Sequence, residues 1–110
     1  MATSYKILGQ AAPANTSNAD LYTVPSSTEA VISSLTVTNT SGSAATCRIF
    51  IRDGGATASA SNAIVYDGEV TANNFISITA GITLAATDVI TVQSSAADTL
   101  TFQAFGSEIA

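Results

Sequence analysis

Of all segments in this chain, Glu29–Asn39 places the strongest constraint on the fold. It is rich in β-branched residues, which fit the pleated surface of a strand better than a helix. Its apolar side chains recur at every second position, the period of a β-strand. This period places Val31 and Leu35 on one face of the predicted strand and Ile32 on the other.

Shorter runs of the same kind follow one another along the whole chain, separated by clusters of small, polar or glycine residues. They predict about eight strands, some of them very short, and no helix. Besides Glu29–Asn39 the runs are Tyr5–Leu8, Leu21–Val24, Ala45–Arg52, Ala63–Tyr66, Phe75–Thr79, Ile82–Leu84, Asp88–Gln93 and a closing strand from Leu100. This spacing is typical of an all-β fold, an antiparallel two-layer β-sandwich of the jelly-roll or immunoglobulin-like type. Residues 1–110 are enough for a single domain with a modest core.

Four stretches between these runs are predicted to be connections. Residues 10–19 are small and polar and contain a proline, so we expect an extended arm or a loop. The turn Thr40–Ser43 is expected to join its two flanking strands into a hairpin. Asp53–Ser61 is rich in Gly, Ala and Ser and predicts a flexible loop, and Asp67-Gly68 predicts a tight turn.

The composition argues against several classes of function. The 110 residues include no histidine, one cysteine (Cys47), and three cationic side chains against eight carboxylates, for a formal net charge of −5. The commonest general base and metal ligand is therefore missing, and one cysteine can form neither a zinc site nor an internal disulfide. The negative balance disfavours nucleic acids and anionic membranes as partners. We expect no catalytic residue, no metal and no cofactor.

Five residues are candidates for contact with another protein. Arg48, Phe50 and Arg52 share one face of a predicted strand, and an aromatic residue flanked by arginines is typical of an interface hot spot. The alternative is that the arginine stems simply cover Phe50 on a solvated surface. Phe105 and Ile109 lie near the end of the chain, where they could pack against the core edge or against a neighbouring chain.

Two further features each have a functional and a structural interpretation. Asp67 and Glu69 could form a weak calcium site or the acid–base pair of a hydrolase, but a turn that needs Gly68 is favoured. Cys47 alternates in register with apolar residues, which predicts a small buried side chain rather than a reactive thiol.

The three tyrosines, Tyr5, Tyr22 and Tyr66, could stack on a sugar ring. A ligand- or carbohydrate-binding sandwich is therefore an alternative function. The absence of tryptophan disfavours it.

Five segments occur in a fixed order along the chain: Tyr5–Pro13, Asp20–Pro25, Thr36–Asn39, Val65–Asp67 and Phe102–Ile109. Together they resemble the small structural proteins of tailed bacteriophages, particularly phages of marine bacteria and cyanobacteria. The resemblance implies a virion protein that is not an enzyme, synthesised in the cytoplasm of the bacterial host. A capsid decoration or cement protein is the first expectation, and a tail, neck or fibre-attachment component is the alternative. The implied partners are other virion proteins and further copies of this chain, for example in a trimer.

Overall fold

The computed structural model describes residues 2–110, which form nine β-strands in two antiparallel sheets. The strands are β1 (Thr3–Ala11), β2 (Ala19–Thr23), β3 (Glu29–Asn39), β4 (Ala45–Arg52), β5 (Ala63–Val70), β6 (Phe75–Ile78), β7 (Ile82–Leu84), β8 (Val89–Ser94) and β9 (Leu100–Ile109). In the first sheet the order is β1-β9-β3-β6, with β7 paired to another stretch of β3; in the second it is β2-β8-β4-β5. The predicted two-layer β-sandwich is confirmed.

The core lies between the two sheets. Leu35 and Phe102 from the first sheet and Ile49, Ile90 and Val92 from the second are completely buried. Burying aliphatic and aromatic side chains of this size stabilises a fold by roughly 1.5–3 kcal/mol each relative to leaving them in water. The buried side chains of the two sheets therefore hold the sheets together.

A β-bulge in β3 reverses the face that its side chains take. The register with β9 shifts between Ile32 and Ser34, so Ser33 is an extra residue on β3. Ile32 on one side of the bulge and Leu35 on the other are both buried, whereas Val31 is exposed. The predicted grouping of Val31 with Leu35 is wrong because a strict period of two does not survive an inserted residue.

The expected hairpin around Thr40–Ser43 is also wrong, since β3 and β4 belong to different sheets. The buried side chain of Asn39 organises the crossing. Its amide nitrogen donates to the carbonyl oxygens of Ser43 (2.8 Å) and Val70 (3.0 Å), and its Oδ1 accepts from the backbone N–H of Ser41 (2.9 Å). These bonds turn the chain out of the first sheet and tie it to an edge of the second.

Two other predicted connections are part of the bonded structure. The first two residues of the predicted arm belong to β1, and the last belongs to β2. The stretch between them crosses from one sheet to the other, where the carbonyl of Pro13 accepts from Asp98 N–H (3.0 Å) and that of Thr16 accepts from the Gln93 side chain (2.9 Å). Asp53–Ser61 includes the 3-10 turn Asp53–Gly55 and most of a second, Ala60–Asn62.

Candidate interaction surfaces

Asp67 lies in a bulge of β5, not in the predicted turn. Cys47 pairs with Gly68 and Arg48 with Tyr66, so Asp67 between them is the extra residue and has a positive φ of 57°. The bulge turns the Asp67 carboxylate toward Arg48, whose Nε and Nη2 donate to it over 2.7 and 3.2 Å. This pairing lowers the pKa of Asp67 and raises that of Arg48.

The Arg48 guanidinium also covers Tyr66. Its central carbon lies 4.0 Å from the centre of the Tyr66 ring, a cation–π contact. One ring face of Tyr66 is therefore occupied by the chain itself. This geometry works against Tyr66 as a platform for a sugar.

Phe50 is buried, although its strand position places it on the outer side of the second sheet. It is 4% exposed and meets Tyr66 edge to face, with 6.5 Å between the ring centres. The 3-10 turn Ala60–Asn62 contacts β4 on which Phe50 lies. Phe50 is therefore not available to a partner in this conformation.

Arg52 holds the segment after β4 in place. Its Nε and Nη2 donate to the carbonyl oxygens of Ala56 (2.7 Å) and Gly55 (2.8 Å), and its Nη1 donates to Thr91 Oγ1 (3.1 Å) and Asp20 (3.3 Å). All three nitrogens of the guanidinium thus have partners inside the chain. Arg52 is a structural residue of the second sheet rather than a free contact group.

A shallow cavity of about 210 Å³ opens beside Arg48 on this same outer face. Thr46, Gln93 and Ser95 contribute hydroxyl and amide groups to its lining, and Asp67 closes one side. Since Arg48 and Asp67 are paired with each other, the charges beside the cavity are largely compensated. The cavity offers neutral polar groups and no arrangement of acid and base.

The outer face of the first sheet is apolar at one end. Because β9 runs without a bulge, Phe105 and Ile109 lie on the opposite side from the buried Phe102 and Ala104. Phe105 pairs directly with Ile7. We call the five side chains that share this end the apolar face: Tyr5, Ile7, Val31, Phe105 and Ile109.

Three side chains of the apolar face are exposed to solvent and the other two are partly exposed. Tyr5 is 85%, Ile7 54% and Val31 38% exposed, and Phe105 and Ile109 are partly exposed. Contiguous apolar surface on a folded domain commonly marks a contact site for another protein. Sequence reasoning reached Phe105 and Ile109. It grouped Val31 with the core-facing Leu35 because the bulge in β3 leaves no local signal. It did not identify Tyr5 or Ile7 as protein contacts, since nothing in the sequence shows that β1 is an exposed edge strand.

Two bulges flank Phe105, one on each neighbouring strand. The register of β1 with β9 shifts between Ile7 and Gly9, and that of β3 shifts between Ile32 and Ser34. Next to Phe105, the backbone of Val31 approaches so closely that a Cβ on Gly106 would collide with its carbonyl oxygen. Glycine is therefore required at position 106, and the apolar face rests on a tightly constrained backbone.

Below the apolar face, Glu108 joins three strands. Its carboxylate pairs with the Lys6 ammonium of β1 at 2.5 Å and accepts a hydrogen bond from the Tyr22 hydroxyl of β2. Both contacts favour the charged carboxylate and lower the pKa of Glu108. Burial, together with the neighbouring carboxylate, raises the pKa of Tyr22 above its usual range.

The last candidate features are the Cys47 thiol, metal-binding groups and membrane-spanning helices. Cys47 is buried, as predicted, and burial raises the pKa of its thiol to about 11. Within residues 2–110, no group of three or more His, Cys, Asp or Glu side chains could hold a metal ion. In the same residues no helix is long and apolar enough to cross a bilayer.

Comparison with solved structures finds a chain of similar fold in the structure of a virus. The chain is similar to one in a structure of infectious bursal disease virus, Gx strain, with a TM-score of 0.51 and 16% sequence identity. The alignment covers 97% of this chain but only 30% of that one, and at this identity it shows a shared fold. No protein-family model and no curated protein sequence matches the chain.

Proposed function

We propose that this protein is a non-catalytic structural component of a virus particle that binds another virion protein through its apolar face. Two observations support the proposal. The virus chain described above shares this fold over 97% of the present chain. Within residues 2–110 the apolar face leaves Tyr5, Ile7 and Val31 exposed to solvent, and an exposed apolar cluster of this kind commonly marks a contact site for another protein.

Within the particle, the role we propose is that of a bacteriophage capsid decoration or cement protein. The ordered resemblance to phage structural proteins, from Tyr5 to Ile109, supports a phage origin. A single small sandwich with neighbouring apolar side chains exposed on one sheet suits attachment to the outside of a capsid shell. Repetition of the same contact by the symmetry of the shell multiplies a modest stabilisation.

The use of the carboxylates supports a non-catalytic role. Asp67 is paired with Arg48, Asp20 bonds Arg52 and Thr91, and both oxygens of Asp88 accept backbone N–H bonds from Gly54 and Ala85. Glu108 is paired with Lys6. Half of the eight carboxylates thus stabilise the fold, and the sequence has no histidine, the side chain that most often serves as a general acid or base.

The decisive experiment is image reconstruction of phage particles that contain this chain. We expect density for the sandwich at regular positions on the capsid shell, with the first sheet toward the shell. Density confined to the tail axis would replace the decoration role with a tail or neck role. Absence of the chain from purified, infectious particles would contradict the virion proposal altogether.

Binding of purified chain to particles that lack it tests the surface. The double variant Ile7→Lys with Val31→Lys places charges on the apolar face and should abolish binding. The matched control is Ile64→Lys, because Ile64 is 41% exposed on β5 of the second sheet. If the control loses binding and the double variant keeps it, the binding face is wrong.

A further inference from the structure

The four sheet edges formed by residues 2–110 differ in how well they are protected against pairing with another strand. The far edge of the first sheet is divided between the short strands β6 and β7. In the second sheet, β2 has a register shift within five residues, and β5 has two shifts and carries Asp67 and Glu69. Short strands, bulges and charges are the usual devices that block edge-to-edge pairing.

The edge formed by β1 is the exception. Its one register shift comes after Ile7, so Thr3–Ile7 is a regular stretch without proline. All five residues of this stretch are exposed, so it is open on both faces as well as along its edge. Its single charge, on Lys6, is already compensated by Glu108.

The hydrogen bonds at the end of β1 show which backbone groups point outward. Ala2 and Ala110 exchange both of their N–H···O bonds, at 2.8 and 2.9 Å. In an antiparallel ladder such pairs alternate with pairs that make no bond to each other. Ser4 and Lys6 therefore bond to β9, whereas the N–H and C=O groups of Thr3, Tyr5 and Ile7 point to the open edge.

We propose that Thr3–Ile7 pairs antiparallel with the same segment of a second copy of this chain, about a two-fold axis at Tyr5. In this register all three outward residues exchange bonds with the partner, which gives about six inter-chain hydrogen bonds. Tyr5 lies opposite the partner's Tyr5, and Lys6 lies opposite the partner's Ser4. The first sheets of the two copies then form one continuous sheet.

Charge and bond count select this register over its neighbours. Moving the axis to Lys6 would place Lys6 directly opposite the partner's Lys6, and like charges opposite each other destabilise a strand pair. Moving it to Ser4 would place Ile7 opposite position 1, so that within the described residues only Thr3 and Tyr5 would exchange bonds. Only the register centred on Tyr5 uses the whole open stretch without opposing like charges.

The two-fold axis is perpendicular to the sheet, so the apolar faces of the two copies lie on the same side and are joined. A single pair of five-residue strands is small for a protein interface. We therefore expect a weak, concentration-dependent dimer of the isolated chain. The dimer itself does not depend on the proposed virion role, since it forms from the purified protein alone.

Disulfide trapping tests the register. In a bonded antiparallel pair the Cα atoms lie about 5.5 Å apart, within the range of roughly 4.4–6.8 Å that a disulfide spans. Under mild oxidation the variant Tyr5→Cys should give a covalent dimer. The matched control Thr3→Cys should not, because its two copies lie about 13 Å apart. The native Cys47 is buried and common to both variants.

Sedimentation analysis over a range of concentrations tests the association itself. Tyr5→Lys should weaken dimerisation about tenfold or more because it opposes two like charges, whereas Tyr5→Thr keeps the backbone pairing and should dimerise. Since Tyr5 is 85% exposed, both variants should fold, which circular dichroism can check. Equal trapping of Thr3→Cys and Tyr5→Cys, or a strictly monomeric protein at millimolar concentration, would overturn the proposal. Failure of particle binding with dimerisation intact would count against the virion role alone.

Discussion

The outer faces of the two sheets differ in how their side chains are satisfied. On the second sheet, Arg48 and Arg52 have partners within the chain, and Phe50 is buried. On the first sheet, Tyr5 and Ile7 lie open to solvent. On the second sheet the arginine side chains are paired within the chain, whereas one end of the first sheet exposes a group of neighbouring apolar side chains to solvent.

This difference shows that the most visible residues of a sequence need not form its contact surface. Two of the three cationic side chains lie on the second sheet, where they attract attention in a chain so poor in charge. Each of them stabilises a bulge or a loop of its own domain. The exposed apolar side chains of β1 lie in a strand that looks unremarkable in the sequence.

The largest expected effect on stability tests whether Ile32 faces the core and Val31 faces solvent, as the bulge in β3 requires. Ile32→Ala should lower the free energy of unfolding by about 2–5 kcal/mol, because Ile32 is buried and its truncation leaves a cavity. Val31→Ala should cost about 0.5 kcal/mol or less, since Val31 is on the apolar face. Urea unfolding of both variants measures this. Similar losses in the two would remove Val31 from the apolar face.

The second test asks whether Arg52 is structural. Arg52→Ala should cost about 2 kcal/mol, because it leaves two backbone carbonyls without their charged donor. Arg52→Lys should recover only part of this loss, because a lysine cannot reproduce the fork of donors. Thermal unfolding gives both values. If Arg52→Ala were as stable as the parent and instead lost particle binding, the contrast between the faces would be reversed.

A third prediction concerns pH. The pKa of Glu108 is lowered from an ordinary value of 4.5 in the folded state, so its contribution to stability is present above about pH 4.5. It is lost as the pH falls through the lower folded pKa. Glu108→Gln should therefore be less stable than the parent at neutral pH, with a flatter decline of stability in acid.

The matched variant for this test is Asp67→Asn. The pKa of Asp67 is lowered in the same direction by Arg48, but its carboxylate is exposed, so water and salt screen the pair. We expect a smaller change in the acid limb of its stability curve than for Glu108→Gln. Chemical unfolding at a series of pH values compares the two variants. A larger change for Asp67→Asn would contradict the claim that the Glu108 contacts stabilise the fold more than the exposed pair of Asp67 and Arg48.

The smallest expected effect on stability is at the apolar face. Ile7→Thr should change the free energy of unfolding by less than about 0.5 kcal/mol, because Ile7 is largely exposed on an edge strand. The same change should weaken attachment to virus particles. A large loss of stability would mean that Ile7 belongs to the core and would remove it from the contact surface.

From the sequence alone, the β-sandwich and the burial of Cys47 could be predicted, because alternating β-branched runs and turn residues are local signals. The tertiary structure alone decided where the bulges at Ser33 and Asp67 lie and that β3 and β4 belong to different sheets. These features depend on the register with strands distant in the chain, and a residue inserted against such a partner leaves no mark on the local pattern. The outward position of Val31 follows from that register.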